Sequence, residues 1–134
     1  MEVNNFTVKN LEKSFGAIVT GIKLSNISNK VAKDLYEIWL ERSLLIFPDQ
    51  HLSNEEQVNF AKHFGDLEFD LSPISNVRSD GTVRDATDDD IVKSLKGNME
   101  WHHDSTYMPL QAKGAVFTAH VVPAKDGQTG WADM

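Results

Sequence analysis

The stretch Glu100-Trp101-His102-His103-Asp104-Ser105-Thr106-Tyr107 decides how this chain is read. His102 and Asp104 stand two residues apart. On a β-strand, residues i and i+2 point to the same face. An imidazole and a carboxylate on one face can meet at one point as neighbouring ligands of a metal ion. Such a pair is two thirds of a 2-His-1-carboxylate triad, which leaves positions open on non-haem Fe(II). His103 competes as a ligand, but strand alternation turns it to the opposite face and selects His102 with Asp104. The pair alone is a short match, and its plain alternative is a surface His and Asp making hydrogen bonds. No good third ligand is found before Met134.

Composition narrows the chemistry. The chain has 134 residues, enough for one domain with a real core. Its formal net charge of -7 argues against nonspecific binding to nucleic acid or an anionic membrane. There are no cysteines, so disulfides, zinc-thiolate sites and thiol catalysis are excluded. Any metal must be held by His, Asp or Glu. The polar start, Met1 to Asn5, does not resemble a signal peptide. No apolar run approaches the ~20 residues needed to span a membrane. The expected location is cytoplasmic.

Working outward, Gly16 to Leu24 reads as a strand from its alternation and β-branched content. Ser28 is an N-cap for a helix to about Arg42, with Val31, Leu35, Ile38 and Trp39 forming its apolar face. Leu44 to Phe47, closed by Pro48, reads as a buried strand. Ser53 and Glu56 form a capping box, opening a helix that carries Val58, Ala61 and Phe64 and stops at Gly65. Asp66 to Gly97 reads mostly as loop, with one short strand around Ile74 to Val77. Ala115 to Val122 is strand-like, and Asp126 to Thr129 reads as a turn. Thr129 to Met134 looks like the start of an element, so the chain is expected to be the N-terminal part of a longer one.

Several residues have plain alternatives. Trp101 on composition belongs in a core. Asn98 could place an amide at a pocket mouth, or serve as a turn residue after Gly97. Thr129 could offer its hydroxyl to an anion, or bond backbone near a turn. Pro48-Asp49-Gln50 would ordinarily be a turn. Asp88-Asp89-Asp90 reads as a solvated loop rather than a cation site. His51, His63 and His120 have no partner at ligand spacing.

Together these segments resemble one family, the Fe(II)/2-oxoglutarate-dependent dioxygenases of the taurine dioxygenase and 2,4-dichlorophenoxyacetate dioxygenase type. Residues Gly16 to Leu24 are similar to its opening strand. Leu45-Ile46-Phe47-Pro48-Asp49-Gln50 with Leu52-Ser53, and Phe60 to Gly65, are similar to its next two blocks. Asn98 to Tyr107 resembles its N-x-x-W-H-x-D block. Val122-Pro123 with Gly127 to Met134 resembles its P-x-x-G-G-x-T-x-F-A-D-M block. Five ordered blocks are more specific than any one of them. Two departures stand out: the family's Gly-Gly pair is Asp126-Gly127, and Trp131 replaces a Phe.

The resemblance implies that His102 and Asp104 ligate Fe(II) and that Thr129 bonds the distal carboxylate of 2-oxoglutarate. It places Asn98 against substrate, and makes the 66–97 loop part of a lid. The implied reaction couples decarboxylation of 2-oxoglutarate, to succinate and CO₂, with O₂-dependent hydroxylation of a small organic anion. That anion would be a sulfonate, a sulfate ester or an aryloxyalkanoate. The implied fold is mainly β with flanking helices, a double-stranded β-helix (jelly roll) incomplete at its C-terminus. Residues 1–134 would be the N-terminal part of a single such domain. The family's distal His and co-substrate Arg would lie beyond residue 134, so the chain alone is expected to be inactive and poorly stable. A homo-oligomer is allowed for the full-length protein. The alternatives are a non-catalytic domain of the same fold and a His/Asp metal-dependent hydrolase.

Overall fold

The computed structural model describes residues 6–69 and 71–134. The polar start at Met1 to Asn5 lies outside them. The chain forms two compact units, one of residues 1–67 and 116–134, the other of residues 68–115.

The first unit is built on a small sheet. Strands β1 (Thr7–Asn10), β2 (Ala17–Thr20) and β3 (Leu45–Ile46) lie in the order β1-β2-β3. β1 pairs antiparallel with β2, with Val8 opposite Val19. β2 pairs parallel with β3, with Ala17 opposite Leu45. A parallel neighbour needs a crossover, and helix α1 (Asn29–Arg42) supplies it. The Ser28 hydroxyl caps α1 by accepting from Val31 N–H. The helix ends where Ser43 turns left-handed at φ 62° and its N–H bonds Trp39 O. Helix α2 (Asn54–Lys62) opens on the expected reciprocal box between Ser53 and Glu56. It ends at Lys62 instead of running to Phe64, and Phe64 follows in a turn.

The core of this unit is Val19, Leu24, Leu35, Leu52 and Phe60, with Ile22, Val31, Leu45, Phe47, Phe64 and Val116 packed around it. Phe60 sits edge-on to both Phe47 and Phe64. Gln50 has a task that its turn-like setting hides. Its Oε1 accepts from Leu24 N–H at 2.9 Å, and its Nε2 donates to Ile22 O at 3.2 Å. One amide thus satisfies two half-buried backbone groups where the chain leaves β2. On α2, Gln57 Nε2 donates to Val116 O at 3.0 Å and anchors the start of the C-terminal segment. The segment 115–122 is expected as a strand. It makes none, because a strand needs a ladder partner and the described residues give it none.

The second unit differs most from the expected loop. Val77 and Val83 form an isolated antiparallel bridge, closed by Arg78 N–H to Thr82 O at 2.8 Å. Helix α3 spans Asp90–Gly97 with Val92 buried. Asp89, expected in a solvated run, is its N-cap. Its Oδ1 accepts from Ile91 N–H, and its Oδ2 accepts from Arg78 and Arg84 at 2.9 and 3.3 Å. One carboxylate therefore ties the bridge to the helix.

Asp85 closes the preceding turn. It accepts from the Thr87 hydroxyl and N–H and from Asp88 N–H, which hold its carboxyl down at about 2. Desolvation opposes the charge on Asp89, but bonds from Ile91 and Val92 N–H and from Arg84 outweigh it and lower its pKa. A depressed carboxyl stabilises the fold above its unfolded pKa, and loses that contribution as pH falls through the folded value. Acidification from about pH 4 to pH 2 is therefore expected to open the 85–90 turn and fray α3. The Thr87 amide should lose hydrogen-exchange protection in that window. Asp85→Asn should flatten the response, and unchanged protection down to pH 2 would contradict it.

In sum of elements, the described residues form a small sheet with helices beside it. They do not display a double-stranded β-helix, and helix outweighs strand among them.

Candidate functional site

Residues 101–107 run through bends and turns after α3, not along a strand. The strand premise behind the ligand pair is thus overturned. The pair nevertheless meets: His102 Nε2 lies 3.2 Å from Asp104 Oδ1. A turn achieves it. Ser105 takes φ 59°, and its carbonyl accepts from Met108 N–H at 3.0 Å, folding the chain back just after Asp104.

The hydrogen bonding of His102 sets its tautomer. Nδ1 lies 2.7 Å from Glu100 O. A carbonyl oxygen only accepts, so Nδ1 carries the hydrogen. In the neutral ring, Nε2 then presents a lone pair. That lone pair faces the carboxylate of Asp104, and two acceptors this close repel. Either a proton on Nε2 or a cation shared by both groups resolves the conflict. At 3.2 Å, Nε2 and Oδ1 are close enough to serve as neighbouring donors to one divalent ion. A backbone carbonyl holding the distal nitrogen is also how metal-binding histidines are oriented. The donor set, one imidazole and one carboxylate, suits a divalent transition metal. Their side chains are 46% and 60% exposed, leaving room for further ligands. Among the described residues, no group of three or more His, Asp or Glu could hold a metal ion.

His103 is engaged elsewhere. Its Nδ1 lies 2.7 Å from the Gln111 side-chain amide and 3.0 Å from Asp104 O. Asn98 is the C-cap of α3, its N–H on Ser94 O and Lys96 O. Trp101, expected in a core, is 74% exposed.

Thr129 belongs to the first unit. The turn expected over Asp126 to Thr129 is not formed there: these residues are neither turn nor bend, and the chain bends earlier, at Ala124 and Lys125. Asp126 and Gly127 both have positive φ, 62° and 76°, a region that Gly and Asp tolerate better than most residues. The first departure from the family pattern, Asp126 in place of a Gly, thus falls at a position with positive φ. Trp131 stacks edge-on against Phe117 at 6.4 Å, so the larger aromatic ties the Thr129 segment to residue 117. A Cβ on Gly127 would sit 2.8 Å from Pro123 Cγ. Gly127→Ala is expected to destabilise this segment by about 1–2 kcal/mol, the left-handed penalty of an L-residue. Asp126→Gly should cost nothing, and equal thermal stability of the two variants would refute this.

Comparison with known proteins places the chain in a family. Residues 7–134 match the family model described as taurine catabolism dioxygenase TauD, TfdA family. A (S)-phenoxypropionate/alpha-ketoglutarate-dioxygenase of Sphingobium herbicidovorans is 58% identical over 96% of this chain and 45% of its own length. A protein of the same description from Delftia acidovorans is 52% identical over 90% of the chain and 44% of its own length. The alpha-ketoglutarate-dependent 2,4-dichlorophenoxyacetate dioxygenase of Cupriavidus pinatubonensis is 31% identical over 92% of the chain and 48% of its own length. The crystal structure of AAD-2 in complex with Mn(II) and N-oxalylglycine superposes with a TM-score of 0.75 at 30% identity, over 80% of this chain and 39% of that one. The fold is thus of the dioxygenase class, and the chain belongs to the TauD/TfdA family. It spans about half the length of the relatives it matches.

Proposed function

We propose that the full-length protein carrying this chain is an Fe(II)- and 2-oxoglutarate-dependent dioxygenase acting on a small organic anion of the aryloxyalkanoate type. The observation that carries this reading is the His102–Asp104 pair, with Nε2 and Oδ1 3.2 Å apart and the imidazole held by Glu100 O. Family membership and relatives described as phenoxypropionate and 2,4-dichlorophenoxyacetate dioxygenases support the reaction class and the substrate. The domain would be completed as a double-stranded β-helix, with residues 1–134 its N-terminal part.

In this reading His102 and Asp104 would hold the iron. Bound iron would supply the oxidative chemistry, in which 2-oxoglutarate, O₂ and a C–H bond become succinate, CO₂ and an alcohol. The chain's own residues supply geometry. The Glu100 carbonyl keeps the Nε2 lone pair turned outward. The Thr129 hydroxyl, two residues after Gly127, would donate to the distal carboxylate of 2-oxoglutarate. Asn98, on the C-terminus of α3, offers an amide to substrate.

The test is a turnover screen of the full-length protein with Fe(II) and 2-oxoglutarate. Aryloxypropionates and aryloxyacetates should raise succinate release far above the substrate-free rate, while alkyl sulfate esters and sulfonates should not. Succinate release indifferent to every anion would sink the dioxygenase reading. A preference for sulfate esters would keep the reaction and overturn the substrate.

A further inference from the structure

Among the described residues, Ser105 is the buried polar residue, 8% exposed, and it directly follows Asp104. Its hydroxyl donates to Glu68 Oε2 at 2.9 Å, a partner 37 residues upstream. A hydroxyl on a carboxylate makes a charge-assisted bond, stronger than a neutral one. The residue also holds φ 59°, a region that non-glycine residues seldom occupy. Such a conformation persists where its surroundings enforce it. Here the enforcement is visible at both ends, with the side chain tied to Glu68 and the carbonyl to Met108 N–H.

We infer that Ser105 is a positioning residue: its bond to Glu68 locks the turn that aims the Asp104 carboxylate at His102 Nε2. This rests on the metal-site reading above. The reversal of the chain at Ser105 is what lets Asp104 face back to a side chain two residues earlier without a strand. Removing the tether frees the turn to relax toward negative φ, and Asp104 Oδ1 then leaves its place 3.2 Å from the imidazole. Glu68 acts through Ser105, whose hydroxyl donates to its carboxylate.

The experiment is a Co(II) titration of full-length protein, followed by the visible ligand-field absorption. Three variants are compared: Ser105→Gly, Glu68→Ala and the double variant. Glycine adopts φ 59° without strain, so Ser105→Gly removes the hydroxyl and leaves the turn accessible. Each single variant should weaken Co(II) binding about tenfold, the lower end of what outer partners of metal ligands contribute. The double variant should be no weaker than either single one, because both act through one bond. At saturating Co(II) the absorption bands should shift, which a mere loss of stability leaves unmoved. Parent-like binding or additive losses in the variants, with His102→Ala deficient, would overturn the inference alone. Parent-like binding by His102→Ala would overturn the metal-site reading beneath it.

Discussion

His102→Ala is expected to lower metal affinity and substrate-dependent succinate release of the full-length protein by more than about a hundredfold. The figure follows from rank. Partners outside the metal's own ligands contribute about 10–100-fold, so a ligand must exceed that range. Asp104→Ala should fall as far, since it removes the other group of the facing pair. His103→Ala should stay within a few-fold of the parent in both readouts, because its ring is turned to Gln111. The three variants separate the competing assignments. If His103→Ala were the deficient one, the ligand pair would have to be redrawn around the neighbouring imidazole. A loss at His102 confined to turnover, with metal affinity intact, would make it a proton-transfer group and not a ligand.

What the sequence disclosed followed the range of the interactions. Helices α1 and α2 were legible because their signals are local. Ser28 sits three residues before Val31, and Ser53 three before Glu56, within one turn of the groups they bond. Helix α3 is hidden in the sequence because Asp88-Asp89-Asp90 reads as a solvated loop. The missed signal was Asp89 as an N-cap followed by Val92 and Leu95 at helical spacing. Gln50 was read as a turn residue because Ile22 and Leu24 lie 28 and 26 positions upstream, beyond any local rule. The segment 115–122 has strand propensity, but propensity becomes structure only with a partner.

The site shows the same limit in another form. Alternation picked His102 with Asp104, yet alternation is not what brings them together. A left-handed Ser105 does, and no sequence rule places a serine at positive φ. The reason is again long-range, since Glu68 holds that serine from 37 residues away. Family resemblance reached the pair without the mechanism, because it records which residues recur and not which bonds fold them into place.

Leu35→Ala is expected to destabilise the fold by about 2–5 kcal/mol, read as a lower urea midpoint at unchanged slope. Leu35 is fully buried at the centre of the first unit, in one cluster with Val19, Leu24, Leu52 and Phe60. Truncation removes apolar contact and leaves a cavity, and the rigid edge-on rings of Phe47, Phe60 and Phe64 nearby resist collapse into it. Domains are stable by only about 5–15 kcal/mol, so this single change reaches a large fraction of the total. Leu40 lies on the same helix but is 60% exposed, and Leu40→Ala should stay within about 0.5 kcal/mol. The pair isolates burial from helix propensity, which is common to both. The effect should also reach the C-terminal segment. Phe60 and Gln57 share helix α2, and Gln57 anchors Val116, from which the chain runs to Phe117 and Trp131 beside Thr129. The indole of Trp131, packed on Phe117, should therefore become more accessible to a fluorescence quencher with Leu35→Ala and not with Leu40→Ala. Equal quenching in the two variants would mean that the segment presenting Thr129 is held independently of this core.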